Sequence, residues 1–269
     1  MKKTNPIVLF VVDGLRSDGM VQAKTKHLDH LISEGAHTLS ARTIVSSITL
    51  PCLTSLIYSI EPSAHQITTN SWRPLSYPGL HEIIFQAGMK SAVFINWEQL
   101  RDLHQPGSVE ALFCLKDDDT PGIESDWKLA ELARSYLAEH HVDFAFIYFN
   151  QTDAAGHRDG WMSPPYLNTI TNVDLCIGTS LKVLPKETLV IVTTDHGGKG
   201  YNHGADTPEE TTIPFIIKGP DIPKGYQIQR LVRIIDIAPT IISSLGIELP
   251  IEWAGKAITF TSTKPNRAN

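Results

Sequence analysis

At 269 residues, 42% hydrophobic and 19% charged, the chain has the make-up of a folded globular protein rather than a disordered or fibrous one, and an α/β fold of this length can be a single domain. A formal net charge of −6 with no cluster of Lys and Arg argues against a nucleic-acid polymer as partner, because such binding draws most of its affinity from basic groups meeting phosphates. No stretch approaches the roughly 18 uninterrupted apolar residues of a membrane helix.

The N-terminus, Met1-Lys2-Lys3 and then an apolar run, imitates a signal peptide, but the run is short and ends in Asp13-Gly14 without a small-residue cleavage site, so it reads as a first strand, Ile7–Val12. Helical period follows over Leu28–Glu34, Pro51–Ser59 and Gly79–Ala87. A strand is expected at Ser91–Ile95, and the stretch from Glu98 to Gly122, weakest in periodicity and carrying Asp117-Asp118-Asp119, reads as a solvated loop. Helix Trp127–Glu139, strand Asp143–Phe149, helix Tyr166–Leu181, strands Thr188–Thr193 and Ile213–Lys218, and helix Asp236–Leu245 complete the pattern, with a polar, frayed tail from Thr261 to Asn269. Apolar runs rich in β-branched residues between helical segments predict a single α/β domain over residues 1–269 with a mostly parallel central sheet flanked by helices. Cys52, Cys114 and Cys176 are widely spaced and form no CxxC pair, which with the absent targeting signals points to reduced thiols and a cytoplasmic location.

In an open α/β sheet ligands gather at the carboxyl ends of the strands. Three strands run into carboxylates there: Ile7–Val12 into Asp13, the strand ending at Phe149 into Asn150-Gln151-Thr152-Asp153, and the strand ending near Thr194 into Asp195-His196-Gly197. His157 lies four residues after Asp153, on one face of a helical turn or in a loop around Gly156, and His203 sits in the glycine-rich stretch from Gly197 to Gly204. Asp after a strand is often only a helix cap, and a lone His is usually no ligand. Six metal-capable side chains converging on one sheet edge are better explained by two divalent ions than by one, since a zinc site takes three or four protein ligands. The Asp/His mixture favours Zn2+, with Mn2+ able to take the same ligands.

The order Asp13, Thr49-Leu50-Pro51, Asp153-Ala154-Ala155-Gly156-His157, Asp195-His196-Gly197 and His203-Gly204 resembles the nucleotide pyrophosphatase/phosphodiesterase branch of the alkaline phosphatase superfamily, over nearly the whole chain as far as Ile235–Thr240. The resemblance implies an alkaline phosphatase-like core in which Asp153, His157 and His203 hold one metal, Asp13, Asp195 and His196 hold the other, and Thr49 is the nucleophile beside the second. Pro51, Pro62, His65, Ile67 and Asn70 fall at matching offsets, and Asn70 then looks like the side chain that holds a phosphate oxygen with the Thr49 backbone amide; on spacing alone it is as readily a turn residue before Ser71-Trp72. Two positions depart: Gln66 stands where a glycine follows the histidine, and Tyr58-Ser59 where a small residue and glycine are usual.

The implied activity is metal-dependent phosphoester hydrolysis of a small molecule, of the phosphodiesterase type, through a phospho-threonine intermediate. A phosphomonoesterase or phosphonate hydrolase could use the same core, and Arg16, Arg42 and Arg73 are the cations that could favour a monoester. A sulfatase fits less well, because the nucleophile position is Thr49 and no Arg follows Pro51 nearby; Cys52 reads as a small buried residue at a helix start. From another class, a non-catalytic metal-stabilised binding module would not require a hydroxyl beside the ligands. The natural substrate and oligomeric state are not legible in the sequence.

Overall fold

A computed structural model describes residues 5–115 and 124–260; the acidic run Asp117-Asp118-Asp119 and the tail from Thr261 lie outside the described residues. Strands β1 (Ile7–Val12), β2 (Ala36–Arg42), β3 (Ser91–Ile95), β4 (Ala111–Cys114), β5 (Phe144–Phe149), β6 (Leu189–Thr193), β7 (Thr212–Lys218) and β8 (Tyr226–Gln227) form one sheet in the order β4-β3-β5-β1-β6-β7-β2-β8. The pairings from β4 through β6 are parallel, and only β7 runs against its neighbours β6 and β2. The helices are α1 (Ser17–Gln22), α2 (Lys26–Glu34), α3 (Thr49–Tyr58), α4 (Pro62–His65), α5 (Leu80–Gln86), α6 (Glu124–Glu139), α7 (Gln151–Asp159), α8 (Pro164–Leu181), α9 (Pro208–Thr211) and α10 (Ile237–Ser244).

The two-residue period of a strand divides the core into two layers. Ile7, Leu9 and Val11 of β1, with Phe144, Phe146 and Tyr148 of β5, pack against α3, α5 and α10. Val8, Phe10 and Val12, with Ala145, Ile147 and Phe149, pack against α2, α6 and α8 on the opposite face. Each fully buried Val, Leu, Ile or Phe contributes about 1.5–3 kcal/mol, and β1 is buried along all 6 of its residues. That burial on both faces is why β1, β5 and β6 read as continuous apolar runs.

The predicted elements appear within a few residues of their expected bounds, with three strands added, β2, β4 and the two-residue β8. β2 was illegible because its sequence, AHTLSAR, is half polar and only partly buried. β4 lies at the sheet edge, and with a 3-10 turn at Glu98–Asp102 it replaces part of what the sequence suggested was loop between Glu98 and Gly122. Both family departures fall where the chain turns left-handed: Ser59 has φ 51° and Gln66 φ 54°. Glycine adopts that region freely, whereas other residues do so at a cost of about 1–2 kcal/mol. Ser59 gains compensation, since its hydroxyl donates to the Ile235 carbonyl (2.8 Å) and accepts from the Gly255 amide (3.1 Å). Among the described residues no helix is long and apolar enough to cross a membrane, and Cys52, Cys114 and Cys176 are free thiols.

Candidate metal centre

Because β5, β1 and β6 are adjacent and parallel, the residues that follow them emerge side by side at one edge of the sheet. Asp13 follows β1, Asp195 and His196 follow β6, and Asp153 sits in the first turn of α7, the helix that opens directly after β5. The alternative left open by Gly156 is resolved as helix: Asp153 and His157 lie one turn apart in α7, with His157 Nε2 3.4 Å from Asp153 Oδ2. His203 Nε2 approaches the other Asp153 oxygen at 3.6 Å. His196 Nε2 lies 3.4 Å from Asp13 Oδ1 and 3.2 Å from Asp195 Oδ2, and the His196 and His203 rings stack with centroids 3.8 Å apart. Among the described residues, two groupings have ligand-capable atoms close enough to share an ion, Asp13 with Asp195 and His196, and Asp153 with His196 and His203. His157 adjoins the second through Asp153 and through its ring, 5.0 Å from that of His203.

The hydrogen bonds fix which atoms face inward. His157 Nδ1 donates to the Tyr201 carbonyl (2.8 Å), His196 Nδ1 to the Gly197 carbonyl (2.7 Å) and His203 Nδ1 to the Ser47 carbonyl (2.7 Å). A carbonyl can only accept, so each neutral ring carries its proton on Nδ1 and presents the Nε2 lone pair to the carboxylates, the tautomer a metal ligand requires. Burial holds His196 and His203 neutral, lowering each to about 4. The carboxylates are equally incomplete. Asp13 Oδ1, Asp153 Oδ1 and Asp195 Oδ2 are buried without a hydrogen-bond partner. Burial, followed by the charge of Asp195, pushes Asp13 and Asp153 well above the usual carboxylate range, and burial raises Asp195 as well. Lone pairs facing buried carboxylate oxygens repel, and divalent cations are the chemistry that turns this arrangement favourable. The donor set therefore fits metal ions.

Thr49 is the first residue of α3, at the end where unpaired amides and the helix dipole favour an anion. It is 3% exposed, and its hydroxyl donates to His196 Nε2 over 3.1 Å. Asn70 is brought to the same helix end, its Oδ1 accepting from the Leu50 amide at 3.0 Å rather than closing a local turn. It also lines a cavity of about 260 Å³ with Trp72, Glu98, Gln99, Arg101 and Asp102. Arg16 and Arg42 are engaged elsewhere: Arg16 binds Asp18 and the Gly198 carbonyl, and Arg42 the Thr211 and Thr212 hydroxyls. Cys52 is wholly buried in α3 and accepts from the Thr43 hydroxyl (3.2 Å), so it belongs to the packing.

Several residues that sequence reasoning passed over support these groups. The Tyr148 hydroxyl, kept protonated by burial and by the adjacent Asp13 charge, donates to Asp13 Oδ2 and so leaves Oδ1 facing His196. Ser47 accepts from His203 through its carbonyl and from the Gly204 amide through its hydroxyl, while buried Glu210 lies 3.1 Å from that hydroxyl and also binds the Ala205 amide and the Thr207 hydroxyl. This network fastens the segment before Thr49 to the His203 loop. Gly14, with φ 67°, lets the β1 end approach Asp153; a Cβ there would lie 3.0 Å from the Asp153 Cα. Tyr148 was masked by lying in an apolar strand, and Ser47 and Glu210 lie 163 residues apart.

The profile of the type I phosphodiesterase / nucleotide pyrophosphatase family matches residues 7–97 and 86–211. The 2,3-bisphosphoglycerate-independent phosphoglycerate mutase of Clostridioides difficile (strain 630) is 28% identical over 144 residues, 50% of this chain and 27% of that protein. The chain thus spans about a quarter of the length of that curated relative. Murine ectonucleotide pyrophosphatase / phosphodiesterase 5, in an inactive form complexed with AMP, superposes with a TM-score of 0.76 at 15% identity, covering 91% of this chain and 96% of the murine one. A phosphonate monoester hydrolase from Silicibacter pomeroyi gives a TM-score of 0.74 at 16% identity over 94% of this chain and 76% of its own. These structural likenesses establish the shared fold, and the profile match, which takes in every ligand-type residue from Asp13 to His203, establishes more: the chain belongs to the type I phosphodiesterase / nucleotide pyrophosphatase family of the alkaline phosphatase superfamily.

Proposed function

We propose that the chain is a two-metal phosphodiesterase that cleaves a small-molecule phosphodiester through a phospho-threonine at Thr49. The observation that carries the reading is the set of three carboxylates, each with a buried, unpartnered oxygen, and three imidazoles with Nε2 turned inward, gathered beside the Thr49 hydroxyl. Asp13, Asp195 and His196 would hold one ion and Asp153, His157 and His203 the other, with Zn2+ favoured by the donor types and Mn2+ accommodated. Such ions supply Lewis acidity, which lowers the pKa of a hydroxyl beside them and offsets charge on the phosphoryl group.

The chain's own groups do the rest. Thr49 Oγ1 attacks phosphorus, the bond from phosphorus to the departing alkoxide breaks, and the proton lost by Thr49 passes through solvent to that alkoxide, which leaves as the alcohol; water then cleaves the new bond between phosphorus and Thr49, releasing the phosphomonoester and restoring the hydroxyl. The Asn70 amide nitrogen, left free because Oδ1 is taken by Leu50, and the α3 N-terminus are suited to orient the non-bridging oxygens. The cavity beside Asn70 offers room for a second ester substituent, and the engagement of Arg16 and Arg42 elsewhere removes two of the cations that would favour a monoester.

The test is hydrolysis of bis(p-nitrophenyl) phosphate against p-nitrophenyl phosphate by the zinc- and manganese-loaded protein, with Thr49→Ala alongside. A diester preference lost in Thr49→Ala is expected. A monoester preference would move the assignment to a phosphatase on the same site, and inactivity on both with ions bound would leave a narrow-specificity enzyme or a binding module.

A further inference from the structure

One side chain outside the ligand set touches every segment that carries a ligand. Trp161 is 6% exposed, and its indole N–H donates to the carbonyl of Gly14 (3.0 Å), the residue after Asp13. Its ring lies flush against Gly156, between Asp153 and His157 in α7: a Cβ there would fall 2.4 Å from Trp161 Cε2. Another Cβ, at Gly198 two residues after His196, would fall 2.2 Å from the same atom. The Trp161 backbone amide donates to the Gly200 carbonyl (2.8 Å), and the indole meets His157 and His203 edge-on at 5.0 and 6.0 Å between centroids.

The three ligand-bearing segments come from different parts of the chain, and across the distance from α7 to the 198–204 loop there is no β ladder, only the His157 Nδ1 bond to the Tyr201 carbonyl among the hydrogen bonds described above. The indole fills that distance: it is a flat spacer gripped between two glycines, and its one polar atom is tied to the end of β1. We infer that Trp161 is the positioning residue that sets the spacing of the metal ligands, acting chiefly on His157, which is the most exposed of the three imidazoles and rests against the ring edge. The inference rests on the two-metal reading above and adds to it a residue that binds neither metal nor substrate.

A merely structural tryptophan would affect stability alone, so the test reads metal binding. Metal-stripped wild type, Trp161→Phe and Gly156→Ala are titrated with Zn2+ by calorimetry and with Co2+ by visible absorption, and the His157 site is identified as the one that His157→Ala removes. Phe keeps an aromatic ring but loses the N–H and the second ring. Alanine at 156 displaces the indole while suiting a helix better than glycine, so its backbone is not weakened.

Both variants are expected to lose about tenfold or more in affinity at the His157 site and to shift its cobalt spectrum, the loss typical of groups that orient ligands. Two ions bound by wild type and by both variants with the same affinities and spectra, whatever happens to the melting temperature, would overturn the inference alone. A wild type that binds no ion would overturn the two-metal reading and this inference with it.

Discussion

On the two-metal reading, removing the metals should cost this protein a measurable share of its stability, because the ion-free site buries three carboxylate oxygens, Asp13 Oδ1, Asp153 Oδ1 and Asp195 Oδ2, that no donor reaches. Each buried unsatisfied polar group costs about 1–3 kcal/mol, and more when charged. Three of them approach the net stability of a whole domain, about 5–15 kcal/mol. An ion present at a thousand times its dissociation constant stabilises the fold by about 4 kcal/mol. The entropy of unfolding is about 2.1 cal/mol/K per residue, so over 269 residues a change of this size moves the midpoint by about 7 °C for one ion and about twice that for two. The assay is scanning calorimetry of the chelated protein against protein titrated with Zn2+ or Mn2+. Asp195→Asn supplies the control: with the charge that raises Asp13 and Asp153 removed, the chelated variant should melt no lower than chelated wild type, yet gain much less from metal. Equal midpoints for stripped and loaded wild type, with Asp195→Asn melting lower in the absence of metal, would refute the claim that these carboxylates await cations.

Tyr148→Phe deletes the hydroxyl that holds Asp13 Oδ2 and should weaken metal binding at the Asp13 site about 10–100-fold while leaving the sheet intact, as measured by metal titration beside circular dichroism. Glu210→Gln keeps the shape but swaps one acceptor oxygen for an amide donor, either where Oε2 takes the Ser47 hydroxyl and Ala205 amide or where Oε1 takes the Thr207 hydroxyl; the unfolding free energy from urea melts should fall by about 1–3 kcal/mol, and an unchanged value would count against the Ser47–Glu210 tie. His81 is buried against Phe144 and Phe146, and burial followed by the neighbouring His104 lowers it to about 3. The unfolded chain, with an ordinary His near 6.5, therefore binds the extra proton, so stability is full above about pH 6.5 and declines as pH falls from there toward 3. His81→Gln should flatten that decline in urea melts between pH 7 and 4; an unaltered slope would assign it to other groups.

The sequence by itself determined the layered α/β plan and which polar residues gather at one sheet edge, because both are written in local signals. β1, β5 and β6 are apolar throughout since they are buried on both faces, and the polar residues that end them must stand at one sheet edge if the strands are parallel neighbours. The departures at Ser59 and Gln66 were also visible as departures, and the backbone shows why glycine suits those places. Strand β2 stayed hidden because a half-polar strand near the sheet edge lacks a continuous apolar run, and the pairing of β7 against β6 has no local signature.

Only the tertiary structure decided how the centre is held. Whether Asp153 and His157 share a helix depended on what α7 packs against, and which imidazole nitrogen faces inward depended on carbonyls at Tyr201, Gly197 and Ser47, two of them more than 40 residues away in the chain. The hydroxyl of Tyr148 and the indole of Trp161 looked like ordinary core side chains, since their sequence neighbours say nothing of Asp13 or Gly198. Hydrogen-bond direction and close packing are properties of atoms that meet only once the chain has folded, and that is where this site acquires its geometry.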